Sequence, residues 1–265
     1  MTSGVYRRWA PAERQRRMVA LLRKRRSVTI AELEEQFGVS AMTARRDLAL
    51  LEARGLVSRT WGGATMPSPV SSELPFAERR ERDADVKRRI AELALPLIEP
   101  HETVLIDGST TACHLVEQLV AAPLPCTIIT NSLAVMELAA DAGPQIQLVA
   151  IGGLLRASSR SFVGPATIRG LGELYADRAF LSVHGVGPDG AMTDPDPLEA
   201  EVKQAFLGQS KEAVLLVQQS KFGAIAQNRI AALADVSHAV GIDLEEDAVA
   251  LLADAGVQLH RDPAS

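Results

Sequence analysis

What most constrains this chain is a pattern that recurs after residue 100: a short apolar run, then a polar or glycine-bearing loop, with helical stretches between. Residues 103–106 lead into Asp107-Gly108-Ser109-Thr110-Thr111, 127–130 into Asn131-Ser132, and 146–150 into Gly152-Gly153. Residues 180–183 lead into His184-Gly185-Val186-Gly187, and 212–217 into Ser220-Lys221-Phe222-Gly223. Short apolar strands alternating with helices predict a parallel α/β sheet. The loops at the carboxyl ends of its strands then share one crevice, the place where such sheets bind ligands.

The rest of the chain is different in kind. Residues 1–66 carry 13 Arg or Lys against 6 Asp or Glu, whereas residues 67–265 carry 15 against 27. A net of +7 beside a net of −12 predicts one part that meets a polyanion and one that does not. With 47% hydrophobic residues but only six Phe, two Trp and two Tyr, the core must be built mainly from Leu, Ala and Val. Cys113 and Cys126 show neither metal nor disulfide spacing, which suits a reducing compartment. No apolar segment reaches the roughly 18 residues of a membrane span, and the first residues lack a signal-peptide core. A cytoplasmic location without membrane contact is expected.

In the basic part, residues 13–25 read as a helix with Met18, Leu21 and Leu22 inward. Residues 28–30 form an extended link able to pair with a wing. Thr29 and Glu32 have capping-box spacing before a second helix, 30–37, which Gly38 ends. Ser40 then caps a third helix, whose inner stripe is Ala44, Leu48 and Leu51. At least one of Arg45 and Arg46 must point outward, beside Ala41, Met42 and Thr43. Such positions meet base edges and phosphates in a recognition helix, although either arginine could instead pair with Asp47 or Glu52. The helix breaks at Gly55. Leu56-Val57 is read as the first wing strand, with Arg59 a phosphate or minor-groove contact. Trp61 either packs the wing or lies against the DNA backbone, and Gly62-Gly63 allows a tight turn or a close backbone approach.

In the acidic part, a Pro/Ser-rich connector is followed by a helix through Lys87, Ile90, Leu93 and Leu97. Ser109, Thr110 and Thr111 open the next helix, where backbone N–H groups and hydroxyls favour an anion, though a simple cap and turn uses the same residues. Lys221 sits near a strand end, where it can meet a phosphate as a point charge or be an ordinary surface lysine. The carboxylates of Asp194, Asp196, Glu199 and Glu201 suit turn capping or a cation site. His184 either donates to a sugar hydroxyl or fills its turn.

The basic part resembles the winged helix-turn-helix head of the DeoR family of bacterial transcriptional regulators, through VS-x-x-T-x-RRDL-x-x-LE-x-x-G-L-x-x-R and the Gly-Gly-Ala at 62–64. Ala44 stands where the family usually has Ile, and Trp61 where it has His. The acidic part resembles the family's sensor domain, whose Rossmann-like parallel sheet looks like that of ribose-5-phosphate isomerase. LIDGSTT, ITNS, IGG, SFVGP, AFLSVHGVGPDGAMTD and SKFG carry that likeness. Gln218 replaces a common Asp before SK.

The resemblance implies a winged helix-turn-helix over 12–66, a linker over 67–75 and a sugar-phosphate sensor over 76–265. Double-stranded operator DNA would be bound by Ser40, Ala41, Met42, Thr43, Arg45, Arg46 and Arg59, in a homodimer or higher homo-oligomer. A phosphorylated sugar would be held by Asp107, Gly108, Ser109, Thr110, Thr111, Thr130, Asn131, Gly152, Gly153, Gly185, Glu199 and Lys221. No cofactor, metal or catalytic residue is implied. The function expected is a regulator, in the main reading a repressor of a carbohydrate-catabolism operon, released by its effector. The alternatives are a sugar-phosphate isomerase-like enzyme, or a DNA-binding regulator whose pocket has degenerated.

Overall fold

The computed structural model describes residues 9–25, 27–53, 57–60, 62–65, 74–122 and 124–262, and the chain divides into two units, 1–74 and 75–265. The first unit contains α1 (Pro11–Arg25), β1 (Ser27–Thr29), α2 (Ile30–Phe37), α3 (Ala41–Ala53), β2 (Ser58–Thr60) and β3 (Gly63–Thr65). Thr29 Oγ1 accepts from the Glu32 amide while the Glu32 carboxylate accepts from the Thr29 amide, so α2 starts on a full capping box. Gly38, at φ 62°, ends α2 in the left-handed conformation that glycine adopts without a Cβ penalty. Met18, Leu22, Leu33, Phe37, Ala44, Leu48, Leu51 and Val57 bury together, which brings the three helices onto one core. Strands β1 and β2 flank β3, both antiparallel to it, so the link before α2 does pair with the wing. The first wing strand is described over Ser58–Thr60; Val57, expected in it, precedes it and turns into the core, whereas Leu56, Gly55 and Trp61 lie outside the described residues.

The second unit runs α4 (Phe76–Glu81), α5 (Ala84–Ala94), β4 (Thr103–Ile106), α6 (Thr110–Ala121), β5 (Cys126–Thr130), α7 (Leu133–Ala140) and β6 (Ile146–Ala150). It continues with β7 (Leu154–Arg156), β8 (Ser161–Val163), α8 (Pro165–Gly172), β9 (Ala176–Leu181), β10 (Gly185–Val186), β11 (Ala191–Asp194) and α9 (Pro197–Gly208). Then follow β12 (Ser210–Gln218), β13 (Asn228–Ala232), β14 (His238–Ile242), α10 (Glu246–Asp254) and β15 (Gln258–His260). The helix expected through Lys87, Ile90, Leu93 and Leu97 is α5, which ends at Ala94, short of Leu97. Asp83, at φ 53°, breaks α4 from α5, and residues 95–97 tighten into a 3₁₀ turn.

Seven parallel strands form the sheet, in the order β15-β14-β12-β9-β4-β5-β6. Alternate residues of its central strands face opposite sides. Val104, Ile106, Ile128, Phe180, Val214 and Leu216 pack toward α5, α6 and α7. Leu105, Ile129, Ala179, Leu181, Leu215 and Val217 pack toward α9 and α10. Burial on both faces is why these strands read as continuous apolar runs. From β4 the chain winds outward through β5 and β6, then returns to β9 on the other side. The topological switch point therefore lies between β4 and β9, and the loops after both open there.

Candidate functional site

In the first unit, Ser40 Oγ accepts from the Thr43 amide at 3.4 Å, a long N-cap that starts α3 at Ala41. Ala44, Leu48 and Leu51 lie inward with at most 2% of their surface exposed, so the opposite face of α3 must carry Arg45 and Arg46 outward, and both are exposed. Met42 is 74% exposed on the same side. Neither arginine takes Asp47. That carboxylate is buried and accepts from Arg14 Nε at 2.6 Å and Gln15 Nε2 at 2.9 Å, which braces α3 on α1. Asp47, one residue beyond the arginine pair, is a positioning group, so the alternative in which it pairs with either arginine does not hold. Of the Gly-Gly pair, Gly63 is there for close approach: a Cβ would fall 2.0 Å from the Val28 carbonyl oxygen on β1. Arg59 lies on β2.

In the second unit the sequence-expected loops do meet at the carboxyl edge of the sheet. Ser109 caps α6 by accepting from the Ala112 amide, with Thr110 and Thr111 in the first turn. Asp107, at the end of β4, accepts from the Ser109 amide through one oxygen, and from the Ser182 amide and Lys203 Nζ through the other. It thus ties β4, the residues after β9, and α9 together at the switch point. A Cβ on Gly108 would stand 3.0 Å from that of Ser161, whose hydroxyl donates to Glu199 at 2.5 Å. Glu199 is buried and lies 3.8 Å from the guanidinium of Arg156.

Thr130 donates to the Ile106 carbonyl and accepts from the Ser132 amide, both inside the protein. Asn131, fully buried, donates to the Phe162 carbonyl, and its Oδ1 has no hydrogen-bond partner among the described residues. Gly152 and Gly153 are exposed at the end of β6; a Cβ on Gly153 would meet Thr167 Oγ1 at 2.0 Å. Gly185 packs against the backbone of Ala224, and the Gly223 amide donates to the Val186 carbonyl, so the loop carrying Lys221 is clamped onto the residues after β9. Asp196 serves as the N-cap of α9, accepting from the Leu198 and Glu199 amides, and it also pairs with Arg156 at 2.9 Å. The acidic cluster is thus committed to capping and ion pairing at Asp196.

Charge in the crevice is uneven. Lys203 is buried; burial alone would lower its pKa, but Asp107, Asp194 and Glu199 outweigh that and hold it raised. Lys221 shows the reverse. Burial lowers its pKa, and Arg79, Lys203 and Arg82 lower it further, while Asp194 opposes them. Lys203 is the residue the sequence reading missed. Its signal was a lysine on the buried side of α9, four residues after Glu199 and beside Val202 and Phe206.

Gln218 also has an identifiable partner. Its amide donates to Asp83 Oδ2 at 3.1 Å and to Ser220 Oγ at 2.7 Å. Among the described residues no helix is long and apolar enough to cross a membrane. Both cysteines are free and buried, and burial pushes each thiol up to about 11.

Two family models match this chain: the DeoR-like helix-turn-helix domain over residues 14–70 and the DeoR C terminal sensor domain over 82–241. An uncharacterized HTH-type transcriptional regulator of Bacillus subtilis (strain 168), YulB, is 32% identical over 96% of this chain and 98% of its own length. The lactose phosphotransferase system repressor of Staphylococcus epidermidis is 36% identical over 77% of this chain and 80% of its own. Among solved structures, ribose 5-phosphate isomerase A of Methanocaldococcus jannaschii is similar at 19% identity and a TM-score of 0.40, over 53% of this chain and 55% of its own. With a helix-turn-helix head, a sensor domain and a relative matched along nearly its whole length, this chain belongs to the DeoR family of DNA-binding transcriptional regulators.

Proposed function

We propose that this regulator is a cytoplasmic repressor of a carbohydrate-catabolism operon that leaves its operator when a phosphorylated sugar enters the crevice of the second unit. The observation that carries the reading is Lys221, a half-buried lysine at a strand end whose nearby charges are mostly cations. A phosphate dianion relieves that repulsion, and the α6 N-terminus at Ser109, Thr110 and Thr111 supplies further donors. Asn131 Oδ1, buried without a partner, suits a sugar hydroxyl as donor. In this reading Gly152, with open space at its Cβ, leaves room for the ligand, and Gly153 lets Thr167 close against the same loop. Asp107, Gly108, Thr130, Gly185 and Glu199 shape the site through the bonds and close approaches already described.

On the DNA side, Ser40, Ala41, Met42, Thr43, Arg45, Arg46 and Arg59 form the contact surface, within a homo-oligomer that places two heads on paired half-sites. The isomerase-like alternative is disfavoured because relatives matched over 98% and 80% of their own length are regulators. A relative whose name refers to a sugar phosphotransferase system supports the class of effector. The test is titration of an operator fragment with the full chain, with and without a panel of sugar phosphates. Release by at least one of them, abolished by Lys221→Gln, is expected. DNA affinity unchanged by every sugar phosphate would sink the effector half and leave DNA binding standing.

A further inference from the structure

Helix α4 is lightly held. Of its six residues Phe76 alone is buried, and its ring packs with Cys113 of α6 and with Ala134 and Leu138 of α7. That cluster is separate from the two cores that flank the sheet. Farther along α4, Arg80 pairs with Glu117 of α6, and its carbonyl lies 3.4 Å from His114 Nε2. Glu117 also bonds His114 Nδ1 at 2.8 Å, within α6 itself. Departure of α4 thus leaves Glu117 a partner and strands no charge in the interior, since Arg80 is partly exposed already. The two ends of α4 differ. At the Asp83 end, Lys87 of α5 donates to the carbonyls of Arg79 and Arg82, and Asp83 itself breaks the helix at φ 53°. The Phe76 end starts without a side-chain cap and rests chiefly on one aromatic ring and one ion pair. An element held in this way opens locally, because neither sheet core is disturbed. Charge supplies a bias: Arg79 is the foremost of the cations that lower the pKa of Lys221. Docked α4 therefore keeps like charges together, and an anion in the crevice offsets their repulsion.

We propose that α4 is a strap hinged at Asp83, docked on α6 and α7 when the crevice holds its effector and released at its Phe76 end when the first unit is on DNA. The inference rests on the effector reading above and adds the moving element that carries the signal. Helix α4 begins two residues after Leu74, where the first unit ends, so release adds its residues to the connector. Six residues span about 9 Å as a helix and about 20 Å extended. Two heads of one oligomer engage paired half-sites together only if their connectors reach, and docking shortens that reach. Effector favours the docked state and operator the released one, so each opposes the other by shifting a shared population.

Cys113 is a reporter already in place. It is buried against Phe76, and a thiol reacts only once it is uncovered, whereas Cys126 lies on β5 in a sheet core and serves as the internal control. The experiment is maleimide labelling of the full chain, with each cysteine quantified by mass spectrometry, alone, with an operator fragment, and with inorganic phosphate or a panel of sugar phosphates. Operator is expected to speed Cys113 labelling about threefold or more, and the releasing phosphate compound to slow it by a similar factor, with Cys126 unchanged. Phe76→Ala is expected to label faster without any ligand, to bind operator at least as tightly as the parent, and to need about fivefold or more of the compound for release. Arg80→Gln, which leaves every buried side chain in place, should act in the same direction by about twofold. Cys113 labelling indifferent to operator, or matched by an equal rise at Cys126, overturns the strap. Release of operator by a sugar phosphate with no change at Cys113 also overturns it, while the effector reading stands. Faster labelling on operator with no response to any phosphate compound overturns the effector reading, and with it the effector's hold on the strap.

Discussion

Lys203 Nζ donates to Asp107 Oδ2 at 2.5 Å, joining two buried charges that lie 96 residues apart in sequence. The same ammonium donates to the Ser182 carbonyl, and the same carboxylate accepts from the Ser182 amide, so the pair closes the switch point of the sheet. Removing either partner strands the other in the interior. Lys203→Met or Asp107→Leu is expected to destabilise the second unit by about 3–5 kcal/mol, and the double replacement by clearly less than the sum. Urea denaturation followed by circular dichroism measures both. Because the folded pKa of Lys203 is raised, its contribution is complete below the ordinary lysine value and fades only as pH rises through the folded one.

Arg45 and Arg46 are exposed on α3, so their loss should barely touch stability, within about 0.5 kcal/mol. Each Arg→Ala change is expected to lower operator affinity about tenfold or more. A phosphate contact would reduce the salt dependence of binding by about one ion, whereas a base contact would relax sequence preference. Fluorescence anisotropy across a salt series distinguishes the two.

Asp47 acts one step removed from DNA. Asp47→Ala leaves Arg14 without its buried partner and frees α3 from α1, at an expected cost of about 3 kcal/mol in the first unit. Operator affinity should fall even though no DNA-facing group has changed. Amide exchange across residues 41–53 should rise in the variant; exchange identical to the parent protein's would contradict the brace.

Gly63→Ala places a methyl 2.0 Å from the Val28 carbonyl oxygen, which only separation of β1 and β3 can relieve. The expected result is loss of the wing sheet and of most DNA affinity. Gly62→Ala, with open space at its Cβ, should be nearly silent. Thermal melts and operator binding of the two variants make the comparison.

Lys87 gives stability a pH signature. Burial lowers its pKa from the usual lysine value to about 8; Asp83 opposes the shift, while Lys221, Arg79 and Arg82 add to it. Its folded pKa is depressed, so the unliganded protein gains stability from this group as pH rises through about 8 toward the unfolded value. Urea denaturation across a series of pH values on both sides of 8 reads the effect, and stability that does not rise over that range would contradict it.

Much of this protein was decided within short stretches of chain. The capping box at Thr29 and Glu32, the Gly38 stop and the Ala44–Leu48–Leu51 stripe each act through neighbours a few residues away, so the head was legible by spacing alone. Strands buried on both faces announced themselves as apolar runs, and their polar ends marked the crevice. The sequence could not show which charges would meet. Lys203 finds Asp107, Gln218 finds Asp83 and Asp47 finds Arg14 only after strands and helices from distant segments are stacked. A salt bridge or hydrogen bond depends on a separation of about 3 Å, which periodicity does not encode and packing alone provides.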